Sequence, residues 1–234
     1  MNDIKKIIFL DINNDYLIIN NFDNSENKIL KQTKFKLLDK IENELNLEVL
    51  SRFFLEKIKI FEKDIGVFIN NVNIILSSNN TEFVSSIRKN YNNTTLTKKL
   101  IIQNIENLRQ TFIKNNKKFE IIHILINKIV IDKKELKDIT KEMIFNEIII
   151  ELKFICFDKR YVKKIRDILK NCNIDVSRIL CQNYIKEFMQ VNDSNKLIAA
   201  NKVAMGINKF EVFVEEKSSK KLGFFEKLFH YFTQ

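Results

Sequence analysis

The sequence predicts a mixed α/β (α+β) fold, and three observations carry that prediction. Short Ile-, Val- and Phe-rich runs of strand character alternate with stretches whose apolar residues recur every three or four positions. No internal repeat interrupts this mixed order, which suits packed layers of sheet and helix. At 234 residues, 45% hydrophobic and 30% charged, the chain is long enough for one large domain or two small ones with a real core.

KKIIFLDI and DYLIINNF read as two strands around the turn residues INND. From Phe35 to about Ile60 the spacing becomes helical, through Leu37, Leu38, Ile41, Leu45, Leu50, Phe53, Phe54 and Ile58. DIGVFINNVNIILSS returns to strand character, and the polar NNTEFVSSIRKNYNNTT reads as a loop with a short helical turn. Thr97 is the expected N-cap of the next helix, whose face carries Leu100, Ile101, Ile105, Leu108 and Phe112 before KNNKK ends it. FEIIHILIN and KIVIDKK read as strands, and NEIIIELKFICF as a long one. DKRYVKKIRDILKNCN is an amphipathic helix carrying Tyr161, Val162, Ile165, Ile168 and Leu169. VSRIL reads as a short strand, CQNYIKEFM as a short helix and VNDSN as a linker. KLIAANKVAMGI is a weak helix and FEVFVEE a strand, after which KSSKK leads into the tail.

Composition narrows the function classes. Pro and Trp are absent, Gly occurs three times, and Ile, Asn and Lys abound, a bias of A/T-rich coding that discounts the formal charge of +10. The positive balance still favours an acidic partner, either nucleic acid or an anionic membrane surface. Cys156, Cys172 and Cys181 form no CxxC pair, so structural thiols in a reducing cytoplasm are expected rather than a metal site. The opening MNDIKKIIFLDINND has too short an apolar run for a signal peptide, and no stretch reaches the roughly 18–20 apolar residues of a spanning helix. No nucleophile–base spacing or paired-carboxylate motif stands out, so no catalytic residue and no enzyme activity are expected. His123, inside an apolar strand, reads as a hydrogen-bonded core residue.

The tail KLGFFEKLFHYFTQ has a pattern of its own. On a helical wheel Leu222, Phe224, Phe225, Leu228, Phe229, Tyr231 and Phe232 share one half of the cylinder, and Glu226, Lys227, His230, Thr233 and Gln234 the other. Twelve residues give about 18 Å of helix, too short to cross a bilayer but suited to lying in the headgroup plane. The membrane-binding set is Lys220, Lys221, Leu222, Phe224, Phe225, Lys227, Leu228, Phe229 and Phe232. The bland alternative is that this helix packs into a groove of its own domain.

The order strand, helix, strand, strand over residues 65–156, followed by DKRYVKKIRDILKNCNIDVSRIL, resembles FtsA, the actin-like membrane tether of the bacterial division ring. In that family such a module is inserted in the first actin-like subdomain. Thr97, His123 and NCNIDVSRIL stand where FtsA has its helix-opening turn, a strand-opening His and a late short strand. The resemblance covers Ile65 to Met189 and the extreme C-terminus. It implies a partial actin-like (ribonuclease H-like) lobe that lacks the second lobe. Residues 1–64 would be a degenerate N-terminal segment, 65–156 the module, 157–214 the rest of the lobe, 215–221 a linker and 222–234 a membrane-targeting amphipathic helix.

By the same resemblance the chain is a peripheral membrane tether of the division ring, on the cytoplasmic face of the cell membrane at the division site. Implied partners are anionic inner-membrane lipids, later division proteins, further copies of the chain and FtsZ, with no nucleic acid. The sequence departs from the actin-like pattern at the phosphate hairpins, where glycine normally lets backbone N–H groups approach the anion. FLDINNDYL keeps Asp11 but has Asn13 and Asn14 where a Gly-Thr or Gly-Ser pair would stand, so no cofactor is expected. Asp11 would hold a magnesium ion through water in the family, and reads here as a turn-forming carboxylate. The runner-up is a membrane-associated scaffold of the pilus-platform kind; a basic nucleic-acid-binding protein, resting on IRKNY, KNNKK and DKRYVKKIR, ranks below it.

Overall fold

The structure, a computed structural model, describes residues 6–13, 15–37, 47–77, 80–136, 143–189 and 196–213. The chain divides into two compact units, residues 1–80 with 157–207 and residues 81–156 with 208–234.

The first unit is built on a five-stranded sheet. β1 (Lys6–Ile12) and β2 (Tyr16–Asp23) form the expected hairpin, and β3 (Lys28–Lys36) extends it antiparallel. β4 (Asn71–Leu76) runs parallel to β1, and β9 (Asp175–Cys181) parallel to β4, giving the order β3-β2-β1-β4-β9. The central strands are mainly apolar: Phe9, Leu10, Ile12, Ile74, Ile75 and Leu76 are all fully buried, as a sheet covered on both faces requires. Between β3 and β4 runs α1 (Leu47–Ile65), which buries Leu50, Phe54, Ile58 and Phe61. It packs with α3 (Lys159–Asn171), where the Asn171 amide donates to Ser51 Oγ at 3.2 Å. α4 (Gln182–Glu187) follows β9, and α5 (Lys196–Ala204) completes the unit. The Arg178 guanidinium on β9 donates to the last carbonyls of α5, Val203 O at 2.6 Å and Ala204 O at 2.9 Å. A cation placed there satisfies orphan helix-end acceptors.

Three expectations change here. Phe35 lies in β3 rather than at the start of a helix, and β3 itself reads poorly because its nine residues include four lysines. Gly66 does not open a strand. At φ +68° it terminates α1, its N–H donating to Glu62 O at 2.8 Å, a left-handed position that only glycine occupies without strain. The apolar stretch at 65–77 therefore narrows to β4, which joins the first unit's sheet rather than that of the second unit.

The second unit's first strand is β5 (Thr81–Thr95), formed by residues expected as a loop. Its alternation of half-buried Phe83, Ser85, Ile87, Lys89 and Tyr91 with exposed neighbours has the strand period of two, but with too few strongly apolar side chains to announce itself. The second unit's sheet has the order β5-β8-β6-β7, with β6 (Phe119–Ile131), β7 (Lys134–Glu135) and β8 (Ile144–Asp158). FEIIHILIN and KIVI are one continuous strand, not two, and the turn falls at Asp132 and Lys133, both at positive φ.

α2 (Lys98–Asn115) covers one face of that sheet, opening as expected at Thr97, whose hydroxyl accepts from Leu100 N at 3.2 Å. Its predicted face holds: Ile101, Ile105, Leu108 and Phe112 are buried against Phe145, Ile148, Ile150, Leu152 and Phe154 of β8. Phe112 stacks on Phe154 at 4.4 Å and meets Phe83 edge-on at 5.1 Å.

Candidate functional site

In a sheet with parallel strands, ligands bind beyond the carboxyl ends, where the loops open a crevice. Here β1, β4 and β9 end side by side, and each delivers a polar side chain: Asp11 near the end of β1, Ser77 just after β4 and Gln182 just after β9. Ser77 is fixed by its backbone N–H, which donates to Ile12 O at 3.0 Å. Its hydroxyl donates to Asp11 Oδ1 at 2.7 Å and also faces Gln182 Oε1; one proton serves the two acceptors in turn.

The centre of the cluster is Lys196, the first residue of α5. Its Nζ donates to Asp11 Oδ2 at 2.6 Å and to Gln182 Oε1. An ammonium has only protons to offer, so the Gln182 atom facing it is the amide oxygen. The Asp11 and Lys196 side chains are 13% and 28% exposed, at the rim of the sheet rather than in its core. The pair places a positive charge on the carboxylate to which the family resemblance assigned a magnesium ion.

The turn between β1 and β2 is closed in the same way. Asn13 Oδ1 accepts from the backbone N–H groups of Asp15 at 2.8 Å and Tyr16 at 2.6 Å. Those are the turn amides that a glycine-containing phosphate hairpin would aim at an anion. Asn13 is therefore the turn-forming residue, and Asp11 is not, contrary to the expectation. Both halves of a nucleotide site, the cation on the carboxylate and the acceptor on the turn amides, are supplied by the chain's own side chains. The fit to a magnesium nucleotide is accordingly poor.

The second unit holds a different polar feature. His123 Nδ1 meets Glu211 Oε1 at 2.7 Å, with side chains 0% and 1% exposed. The carboxylate accepts, which puts the proton on Nδ1. His123 is thus a hydrogen-bonded core residue, as expected. Glu211 belongs to a short stretch laid antiparallel along β6: Ile126 N donates to Phe210 O, and Val212 N to Ile124 O, both at 2.8 Å. The strand expected over FEVFVEE amounts, within the described residues, to this bridge.

The cysteines are free and buried. Burial pushes the Cys156 thiol up to about 12 and raises Cys172 as well, so both are inert thiols rather than thiolates. Among the described residues no group of His, Cys, Asp and Glu could hold a metal ion, and no helix is long and apolar enough to cross a membrane. The membrane-binding set, Lys220, Lys221, Leu222, Phe224, Phe225, Lys227, Leu228, Phe229 and Phe232, lies outside the described residues.

Sequence reasoning singled out Asp11 and His123 but missed the groups that complete each cluster. Ser77 and Gln182 carry a weak signal, a polar residue directly after an apolar strand in IILS and ILCQ. Glu211 is a lone carboxylate between Phe210 and Val212. Lys196 has no local signal, being 185 residues from its partner.

No protein-family model and no curated protein matches the chain. Among solved structures it is similar to a PilM–PilN type IV pilus biogenesis complex, with 7% identity and a TM-score of 0.47 over 76% of this chain and 48% of that one. It is similar also to the cytoplasmic domain of EpsL, an inner membrane component of the type II secretion system of Vibrio cholerae, with 10% identity and a TM-score of 0.40 over 80% and 61% of the two chains. A third is a Bacteroides thetaiotaomicron protein with an actin-like ATPase fold and unknown function, at 13% identity and a TM-score of 0.31 over 80% and 58%. The chain spans between 48% and 61% of the length of these structures. The likeness concerns the fold alone. The mixed α/β class expected from the sequence stands on the two sheets and the helices packed on them, and none of the three structures is described as FtsA.

Proposed function

We propose that the chain is a non-catalytic assembly scaffold, an actin-like lobe closed to nucleotide and held on the cytoplasmic face of a membrane by its C-terminal stripe. The observation that carries the first half is the Lys196–Asp11 pair: an ammonium fixed on that carboxylate leaves a magnesium–phosphate group nothing to bind there. The second half rests on the sequence, where one half of the 222–233 wheel is aromatic and aliphatic and the approach is basic.

Interfacial burial of a few rings is partial, and Lys217, Lys220, Lys221 and Lys227 add about 1 kcal/mol each near anionic lipid. A single copy would therefore bind weakly and reversibly. Copies held together would bind firmly, because each further contact becomes local to the first. The partners of this reading are anionic inner-membrane lipids and the proteins of a membrane-bound assembly. Membership of the division ring, with later division proteins or FtsZ as partners, is its finer form.

Flotation with vesicles tests the reading. The full chain should rise with vesicles containing about one-third anionic lipid, and Phe225→Glu with Phe229→Glu should abolish it. Titration calorimetry should give no heat with magnesium ATP. Flotation unchanged by the paired substitution, or micromolar ATP binding, would overturn the corresponding half. An N-terminal fluorescent fusion sharpens the rest: a midcell band marks a division protein, a uniform rim another membrane platform, and a nucleoid pattern a nucleic-acid binder.

A further inference from the structure

A sheet edge is a row of unpaired backbone donors and acceptors, and proteins blunt such edges with like charges, bulges or cover. The two long edge strands of this chain are treated differently. β3 carries Lys28, Lys31, Lys34 and Lys36 within nine residues, so a second copy laid against it meets its own charge. β5 is fifteen residues long and, among the described residues, pairs with β8 alone. Its regular stretch runs from Thr81 to Asn90, after which the register shifts and Asn93 takes a positive φ. Within that stretch the side chains are mixed in sign and partly apolar.

We propose that β5 pairs with β5 of a second copy of this chain, antiparallel, about a two-fold axis through Ser85. This deepens the scaffold reading by naming the contact between copies. In that register Glu82 stands opposite Arg88 of the other copy, and Arg88 opposite its Glu82, on the exposed face. Phe83 stands opposite Ile87 on the face toward α2, and Thr81 opposite Lys89. Moving the axis one residue either way loses this. An axis at Val84 sets Glu82 against Ser86; one at Ser86 sets Glu82 against Asn90 and Phe83 against Lys89.

Two further observations favour the same register. Glu82 already receives Lys153 of β8 at 2.9 Å, and Arg88 lies 3.6 Å from Glu147 of β8. Across the seam these join into a row of alternating sign, Lys153, Glu82, Arg88, Glu147, repeated by the two-fold. Phe83 and Ile87 are only half-buried where they edge the α2 core, and the pairing covers the remainder. Such an isologous contact is short, so the dimer should be weak in solution and strengthened on a surface.

Sedimentation of the full chain over a concentration series reads the contact. Reversing one charge, Glu82→Arg or Arg88→Glu, turns two symmetry-related attractions into repulsions and should weaken association at least about tenfold, 1.4 kcal/mol. The combined reversal should restore it to within about threefold. Both pairs to β8 are lost in the combined variant, so its recovery comes from the seam alone. A chain that stays monomeric, or an oligomer indifferent to either reversal, overturns the proposal. Should the reversed chains fail to fold, hydrogen exchange of the wild-type chain decides: amides of residues 81–89 should slow as concentration rises, and exchange independent of concentration overturns it. Flotation is read separately, so a monomer that still floats removes the pairing and spares the membrane reading.

Discussion

His123–Glu211 in the second unit and Asp11–Lys196 in the first are contacts of nearly equal length, 2.7 and 2.6 Å, in different surroundings. The first pair has 0% and 1% of its side chains exposed, the second 13% and 28%. A buried polar group that loses its partner finds no water to replace it, so removal leaves the full desolvation penalty behind. A group at the rim of a sheet is rehydrated, or takes another ion. The first pair is a clamp and the second an occupancy, and the distance alone distinguishes neither.

The largest effect should come from breaking the clamp. Glu211→Ala should cost the second unit about 3–5 kcal/mol in urea denaturation, since it removes the buried carboxylate to which His123 Nδ1 donates. A loss below about 1 kcal/mol would put this pair in the same class as the exposed one. Lys196→Ala should cost only about 1 kcal/mol, because the freed Asp11 carboxylate meets solvent. The same variant sharpens the contrast by a second readout: millimolar magnesium should raise its melting temperature and leave the wild type unmoved. Ser77→Ala removes one shared donor from the rim and should cost about 0.5–1.5 kcal/mol. Gly66→Ala tests backbone alone, since nothing lies within 4 Å of the added carbon; the left-handed φ should cost about 1–2 kcal/mol. Smallest in stability terms is the thiol test. With its pKa pushed up to about 12, Cys156 should remain unlabelled by a thiol reagent at pH 8 in the native chain and react fully once denatured.

Elements with strong periodicity were legible. The β1–β2 hairpin around INND, α2 from its Thr97 cap through Phe112, α3 and the long β8 are where the apolar spacing puts them. β3 and β5 were not, for one physical reason. An edge strand has fewer neighbours, so its residues need not be apolar, and KILKQTKFK and TEFVSSIRKNYNNTT carry little of the pattern that marks buried strands. The site was legible only at its first residue. Asp11 stood out at the end of a strand, but what it binds comes from Ser77, Gln182 and Lys196, brought to it by parallel pairing and by a helix far along the chain. Long-range pairing of this kind leaves no mark in local spacing. His123 was readable as a core residue because its apolar strand demanded a partner for it, though not which partner.

The stretch at 210–212 matters for mechanics. A pull applied along residues 210–212 loads Val212 and Phe210, each held to β6 by one backbone hydrogen bond, with the Glu211 carboxylate locked on His123 between them. Tension along the strand loads all three together, while tension across it loads them one after another. Two of these residues are rooted in the interior, Glu211 in the buried clamp and Val212 among the rings under α2, so a tug on this stretch is carried straight into the second unit's core.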